Sequence, residues 1–340
     1  MNIFLTLDYE LFSGSNPGSV KNSIIIPTQK LLEVGDKYDV RFIFFIDSGY
    51  IQRLSYYAKE YQSAAEDLNV VTKQIRELHQ KGHDIQLHIH PHWEDCTYDE
   101  NGWHMDTSRF RIHSFSKEEI DDIVKRYKKI LIDITGDEIF AYRAGGWCLQ
   151  PFDKLKEALK QNGIWLDSTV YEDGYNSSNT HFYDFRGSPK KSFYRFENDP
   201  IAEDENGYFA EIPISTYKVS PLFFWQFAYF KKFGKDKHKV FSDGIGAGGT
   251  SNSSMFRMLT RSSKSLVSMD GYRAKLLKKA LIANAKEDKN GNFVVIGHPK
   301  ALTPFSLKKL DFFLEYATKE HTITTFSNFC KNNGINLSNK

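Results

Sequence analysis

Short apolar segments of strand length alternate with segments of helical periodicity along most of the chain. The segments Ile3–Leu7 and Arg41–Ile46 are rich in aromatic and β-branched residues, and a helical pattern at residues 27–38 separates them. Further along, a helical pattern at residues 117–135 and the apolar segment Phe293–Ile296 continue the alternation. This pattern predicts an α/β protein with a mainly parallel sheet, either doubly wound or closed into a barrel.

Polar side chains immediately follow the predicted strands. They are Asp8, Asp47, His88, Arg143, Asp167 and His298. Ligand sites in parallel α/β folds form at the carboxyl ends of the strands, so these positions predict a functional site at that edge of the sheet. For Asp47 the better interpretation is a helix cap or a turn residue.

Two segments interrupt the alternation, a polar stretch at about residues 95–116 and an irregular stretch at about residues 171–270. Since no repeat or clean linker divides the chain, we predict a single domain over residues 1–340 with these two inserts. A hydrophobic fraction of 40% with 26% charged residues excludes disordered and fibrous classes. The net charge of +2 provides no overall attraction for nucleic acid, so no nucleic-acid partner is expected.

Cysteine usage and the N-terminal sequence bear on the compartment. The three cysteines form no CxxC pair, which argues against a disulfide framework and a thiolate zinc site. The N-terminal sequence lacks the features of a signal peptide, and no apolar run approaches the length needed to span a bilayer. These features predict a cytoplasmic protein.

Three histidines, His88, His90 and His92, lie within five positions directly after a predicted strand. Imidazole is the commonest metal-binding side chain, and packing does not require this concentration of it. On an extended chain all three rings face one way, whereas a turn after His88 lets His88 and His92 share one ion. Pro91 favours the turn. The histidines are therefore candidate metal ligands, either as a set of three on an extended chain or as the pair His88 and His92 at a turn, and the role of His90 stays open.

Two carboxylates, Asp8 and Glu10, follow the first strand and complete this set. One can bind a metal while the other acts as a general base toward water. Arg143 is placed either to pair with a carboxylate at the site or to form a structural salt bridge. His298 is placed to be a general acid, oriented by a carboxylate such as Asp167.

In this order, the segments resemble the motifs of the polysaccharide deacetylase family, the homologues of the chitooligosaccharide deacetylases. The matching segments are Thr6–Glu10, His88–His92, Arg143–Trp147, Asp167–Thr169 and Val295–His298. The resemblance covers about residues 1–170 and 205–315. It implies a distorted (β/α)7 barrel with inserted loops and metal-dependent removal of an N- or O-acyl group from a sugar.

The resemblance also implies roles for individual residues. Asp8 would be the base, His88 and His92 the metal ligands and His298 the acid, with Arg143 and Asp167 completing the catalytic set. The expected metal is Zn²⁺. Where the family has adjacent aspartates, this chain has Asp8-x-Glu10, so Glu10 is the favoured carboxylate ligand and Asp8 the alternative.

The additional His90, with Pro91 and Trp93, resembles an atypical branch that acts in surface-polysaccharide biosynthesis, such as O-antigen or capsule assembly. The expected substrate is then an N-acetylated or N-formylated sugar, carried as a sugar nucleotide or a lipid-linked glycan. Two alternatives stay open, a catalytically silent sugar-binding barrel and an amidohydrolase of a non-sugar amide such as an acylated polyamine.

Residues 220–234 form a very aromatic segment that ends in lysines. It is too short to span a bilayer, but it has the character of a segment that lies at a membrane interface. Packing of the same segment on the barrel or on another subunit is the more common role of such a sequence. Peripheral membrane contact through this segment is therefore one expectation.

Overall fold

The computed structural model describes residues 1–246 and 252–335. Its strands are β1 (Asn2–Tyr9), β2 (Ile43–Asp47), β3 (Asp84–Ile89), β4 (Thr97–Asp99), β5 (Gly102–His104), β6 (Ala141–Ala144), β7 (Leu166–Asp167), β8 (Tyr175–Ser177), β9 (Phe182–Asp184), β10 (Tyr194–Phe196), β11 (Phe209–Glu211), β12 (Thr216–Val219), β13 (Ser263–Leu266), β14 (Asn292–Gly297) and β15 (Thr322–Ile323). Its α-helices are α1 (Ile26–Asp36), α2 (Ser48–Tyr57), α3 (Gln62–Gln80), α4 (Lys117–Thr135), α5 (Asp153–Gln161), α6 (Pro221–Phe233), α7 (Asn252–Thr260), α8 (Leu277–Glu287), α9 (Pro304–Glu320) and α10 (Phe326–Asn332).

The chain divides into two compact units. The first comprises Met1–Leu7, Leu11–Val40 and Ile214–Thr324, and the second comprises Asp8–Glu10, Arg41–Pro213 and Thr325–Lys340. The expectation of a single domain over residues 1–340 stays a prediction. None of the helices in the described part of the chain is long and apolar enough to cross a membrane.

The second unit contains a sheet with the strand order β10-β11-β7-β6-β3-β2. Its strands run parallel except for β10, which pairs antiparallel with β11. Strands β2 and β3 are buried along their whole length, as expected for parallel strands covered on both faces. The register aligns Asp47 with His88 and His88 with Arg143, and it places Asp167 beside Glu211. Neighbouring strands thus deliver these polar residues to one edge.

The helices of this unit follow local sequence signals. Helix α4 begins at a capping box, in which Ser116 accepts a hydrogen bond from the Glu119 amide, and it ends at Gly136 in the left-handed conformation. Helix α2 is not anticipated by the sequence pattern because Ser48-Gly49 is typical of a turn. Gly49 is needed there for packing: a Cβ atom on it would lie 2.8 Å from the Tyr127 hydroxyl.

The first unit is organised around β1 and β14, which pair in parallel from Asn2 opposite Asn292 to Leu7 opposite Gly297. Strand β15 pairs with the start of β1. Helix α9 begins at a capping box formed by Thr303 and Ser306. The segment after β14 carries His298, as the sequence predicts.

Both predicted inserts contain regular structure. The first holds the hairpin β4–β5. The second contains the hairpin β8–β9, the antiparallel strand pair β12–β13, the strands β10 and β11 of the sheet, and the helices α6 and α7. The sequence of this insert is rich in Asn, Ser and Gly, and its strands are only three or four residues long. For these reasons most of the strands are not evident from the sequence pattern. Residues 247–251 of this insert lie outside the described residues.

Candidate metal centre

Three buried side chains, those of Glu10, His88 and His90, meet at the ends of β1 and β3. Glu10 Oε2 lies 3.2 Å from His88 Nε2 and 2.5 Å from His90 Nε2. The three donor atoms all lie within 4.8 Å of one another. One carboxylate oxygen and two imidazole nitrogens at this spacing fit a divalent cation with nitrogen and oxygen ligands.

The orientation of His88 also suits a metal ligand. Its Nδ1 lies 2.8 Å from the carbonyl oxygen of Arg143, which assigns the ring proton to Nδ1 and directs the Nε2 lone pair toward Glu10. Burial lowers the pKa of His88, but the carboxylates of Asp8, Glu10 and Asp47 outweigh this effect, so the net pKa is raised. The same carboxylates create an environment that attracts a cation.

In the structure, the histidine that joins Glu10 and His88 is His90, whereas the predicted second histidine ligand is His92. The expected turn after His88 does not form, because β3 continues to Ile89. His88 and His90 therefore project on the same side of an extended chain. His92 lies on the turn Pro91–Glu94, where its ring stacks on Trp93 and on Phe110 with centroid distances of 5.3 Å and 5.5 Å. It lies outside the group of three, and its assignment as a ligand stays a prediction.

Asp47 occupies the position expected from the sequence but makes a different contact. It is the N-cap residue of α2, yet its side chain makes no capping hydrogen bond. Instead Trp93 Nε1 donates a hydrogen bond to Asp47 Oδ2 at 2.6 Å. Burial raises the pKa of this carboxyl group, while His90 and His88 lower it. Asp47 thus supports the segment that carries the histidines.

Asp8 and Arg143 form a buried ion pair beside these residues. Arg143 Nη1 donates to Asp8 Oδ1 at 2.8 Å. The same guanidinium donates to the Ser168 carbonyl at 2.6 Å and to Ser168 Oγ at 3.1 Å, and it lies 4.2 Å from the centroid of the Phe45 ring. The contact with Asp8 fits both roles that the sequence leaves open for Arg143, a pairing at the site and a structural salt bridge, so its catalytic role stays a prediction. This arrangement fixes the orientation of Asp8.

A second carboxylate, missed in the sequence, accompanies Asp167. Thr169 donates to Asp167 from its amide at 3.0 Å and from its hydroxyl at 2.8 Å, and the Val170 amide donates to Glu211 Oε1 at 3.2 Å. Both carboxyl groups are buried. Burial and the adjacent Asp167 raise the pKa of Glu211 well above its ordinary value, which favours the protonated form of this carboxyl group. The available signal was its position at the end of β11.

His298 belongs to the first unit, where its partner is Asp270. His298 Nδ1 lies 2.7 Å from Asp270 Oδ2, and the His298 amide donates to Asp270 Oδ1 at 2.8 Å. Burial alone would raise the pKa of Asp270. The interactions with His298 outweigh this effect, so the pKa is lowered overall. The sequence pointed to Asp167 as the orienting carboxylate, and Asp270 was missed because it lies in the second predicted insert. The role of His298 as an acid stays a prediction.

Small and aromatic residues contact the segment His88–His92. A Cβ atom on Gly145 would lie 2.4 Å from the Ile89 carbonyl oxygen and 2.8 Å from His90 Nδ1, so only glycine lets the chain pass here. Trp147 adopts a φ of 59°, a conformation that is strained for a bulky residue and that concentrates at functional sites. Phe110 contacts both His90 and His181, with centroid distances of 5.5 Å and 4.5 Å.

Comparison with known proteins places these features in context. Residues 26–164 match the family model described as polysaccharide deacetylase. A protein from Mycobacterium smegmatis assigned to the polysaccharide deacetylases has a similar structure, with a TM-score of 0.54, 14% identity, and coverage of 97% of this chain and 89% of that chain. The 4-alpha-glucanotransferase from Thermococcus litoralis gives a TM-score of 0.51 at 11% identity, covering 97% of this chain and 40% of that chain. No curated protein matches the chain significantly. The structural likenesses confirm the predicted α/β barrel fold.

Proposed function

We propose that this chain is a member of the polysaccharide deacetylase family and a metal-dependent hydrolase that removes an N-acetyl or N-formyl group from a sugar. The match of residues 26–164 to the family model supports this proposal. The observation that carries the proposal is the cluster of Glu10, His88 and His90 beside an Asp8 carboxylate held by Arg143. A cation site next to an oriented carboxylate is the arrangement that amide hydrolysis by water requires.

In this proposal Glu10, His88 and His90 hold the cation. The cation, zinc in our proposal, supplies Lewis acidity toward the amide carbonyl and makes water a better nucleophile. Asp8 accepts the proton from the attacking water, and Arg143 holds that carboxylate in position.

The second proton transfer is assigned to His298. It delivers a proton to the departing nitrogen, and Asp270 orients its ring and stabilises the charged form. Asp167, with Glu211, supports the segment that contacts Arg143 through Ser168. These roles extend the sequence prediction by two carboxylates, Asp270 and Glu211.

For the substrate, we propose a sugar nucleotide or a lipid-linked glycan of O-antigen or capsule assembly in the cytoplasm. The support is the pattern His88-x-His90-Pro91-His92, which resembles the branch that acts on surface polysaccharides. The involvement of His90 in the cluster adds to that support, since it gives the extra histidine a chemical purpose.

Metal content tests the site. Protein purified without added metal should contain close to one equivalent of a divalent metal by inductively coupled plasma mass spectrometry, and Glu10→Gln, His88→Ala and His90→Ala should each lose it. His104→Ala is the matched control, because His104 is an exposed histidine that contacts Asp99. Loss of metal in His92→Ala with retention in His90→Ala would support His92, the ligand predicted from the sequence, over His90.

Activity tests the reaction. The metal-loaded protein should release acetate or formate from N-acylated sugar nucleotides, and Asp8→Asn should abolish the release without removing the metal. Metal binding without turnover on any acylated sugar, together with turnover on acylated polyamines, would contradict the sugar assignment. Absence of metal even after reconstitution with zinc would favour a silent sugar-binding protein.

A further inference from the structure

Helix α6, in the first unit, is apolar on two opposite faces. Its inner face packs into a small core around Tyr272, through Phe223, Phe224, Phe227 and Phe230. Its outer face consists of Leu222, Trp225, Tyr229 and Phe233, which are 64%, 58%, 58% and 61% exposed. These four residues form one stripe along the helix, since they are spaced by three or four positions. A helix that is apolar on both faces indicates a second environment besides the protein core.

The α6 outer face is part of a larger exposed apolar surface. Trp225 Nε1 donates a hydrogen bond to the Leu259 carbonyl at 3.1 Å, which ties the stripe to α7. Phe256 on α7 is 70% exposed. Most of the exposed large hydrophobic side chains in the described part of the chain lie between Leu222 and Phe256. Apolar side chains concentrated in this way mark an interaction site.

Basic residues surround this surface. Residues 231–239 contain five lysines and one aspartate, and the lysines are all exposed. Lys232 Nζ lies 5.3 Å from the centroid of the Phe233 ring, so positive charge directly borders the α6 outer face. Arg257 and Arg261 are exposed as well. The net charge of the whole chain is only +2, so this concentration is local.

We propose that the α6 outer face and its basic rim dock this protein on the surface of an anionic lipid bilayer. An apolar stripe with aromatic residues, bordered by lysines, matches the two parts of such a surface, the acyl boundary and the charged head groups. Helix α6 is too short to span a membrane, so it lies in the plane of the interface. The proposal is independent of the proposed reaction.

Charge favours lipid over a second copy of the chain. In a two-fold symmetric contact the same patch meets itself, so the lysines at 231–239 would oppose one another. An anionic bilayer instead neutralises them, and it covers the apolar stripe at the same time.

Vesicle sedimentation tests the proposal with the full-length protein. It should bind vesicles of phosphatidylcholine and phosphatidylglycerol, and bind pure phosphatidylcholine at least about tenfold more weakly. The variant L222S/W225S/F233S should lose about tenfold or more in binding to the anionic vesicles. The control Y56S/F312S removes two equally exposed rings elsewhere and should bind like the parent.

A charge variant and a spectroscopic readout keep the test decisive if the triple variant misfolds. K231E/K232E keeps the apolar stripe and should lose most binding to anionic vesicles. Trp225 is more exposed than the other tryptophans, so brominated lipid should quench fluorescence in the parent but much less in W225F. Absence of parent binding, or unchanged binding in both variants, overturns the proposal. A dimer abolished by L222S/W225S/F233S, without vesicle binding, overturns it in favour of self-association.

Discussion

The polar residues that end the strands of the second unit differ from the His298–Asp270 pair of the first in burial. Arg143 contacts Asp8, Ser168 and Phe45 at once, and it is fully buried. The side chains of His298 and Asp270 remain partly exposed, at 18% and 16%. Removal of a fully buried side chain leaves its buried partners unsatisfied, whereas water can reach the partner of a partly exposed side chain and replace the lost contact.

This difference separates stability from activity. Substitutions in the buried network should affect folding and turnover together. Substitutions in the His298–Asp270 pair should affect turnover with little loss of stability. The following experiments test this separation, beginning with the largest expected effect.

Removal of the Arg143 charge should be the most damaging change. Arg143→Met leaves the buried Asp8 carboxylate without its cation, so we expect a loss of about 3–5 kcal/mol in the free energy of unfolding. Activity should fall to background. Denaturant unfolding measures the first effect, and Lys129→Met, which breaks an exposed pair with Asp133, is the control and should change stability by less than about 0.5 kcal/mol. An Arg143→Met protein as stable as the parent would show that the buried Arg143–Asp8 pair contributes no more to stability than the partly exposed His298–Asp270 pair.

Removal of His298 should reduce turnover and leave the fold intact. In His298→Ala we expect kcat to fall by about 10²–10⁴-fold, because a general acid contributes that much. Metal content and the thermal midpoint should stay close to those of the parent. Full activity in His298→Ala would exclude the proton-donor role, and a protein that fails to fold would contradict the separation.

The same contrast explains what the sequence revealed. The strand–helix alternation predicted helix α4 with its observed bounds, because its capping box and its terminal glycine are local signals. Strand ends identified Asp8, His88 and Arg143, because a parallel sheet carries the ends of its strands to one edge. Such inferences need only the periodicity of the chain.

Choices between neighbouring residues could not be made in this way. Whether His90 or His92 joins Glu10 depends on where β3 ends, and a shift of two residues in that end changes the answer. Asp270 and Glu211 were missed because their partners are distant in sequence, at His298 and Asp167. Contacts of this kind depend on the tertiary fold, which no local pattern encodes.

The raised pKa of Glu211 provides a finer test within the buried network. Glu211→Gln keeps a hydrogen-bond donor toward Asp167, so its stability near neutral pH should equal or exceed that of the parent, whereas Glu211→Ala should lose about 1–3 kcal/mol. The folded pKa of Glu211 is raised, so its contribution to stability is complete below the ordinary value of 4.5 and is lost as the pH rises toward the folded pKa. The parent should therefore lose stability over that range relative to Glu211→Gln. Equal pH dependence in the two proteins would contradict a raised pKa at Glu211.

Asp270 gives the smallest expected effect and the sharpest comparison. Asp270→Asn keeps a side chain that can bond to the His298 ring but removes the negative charge that stabilises its protonated form. We expect kcat to fall by about tenfold, less than in His298→Ala, and the alkaline limb of the kcat profile, where the proton donor loses its proton, to shift to lower pH. The folded pKa of Asp270 is depressed, so its stabilising contribution is present above the ordinary value of 3.8 and is lost as the pH falls toward the folded pKa. The parent should therefore lose this part of its stability as the pH falls through that range. Asp270→Asn, which has no carboxylate at this position, should not show this loss. A kcat profile identical to that of the parent would mean that Asp270 only positions the ring, in which case Asp270→Ala would lower kcat and Asp270→Asn would not.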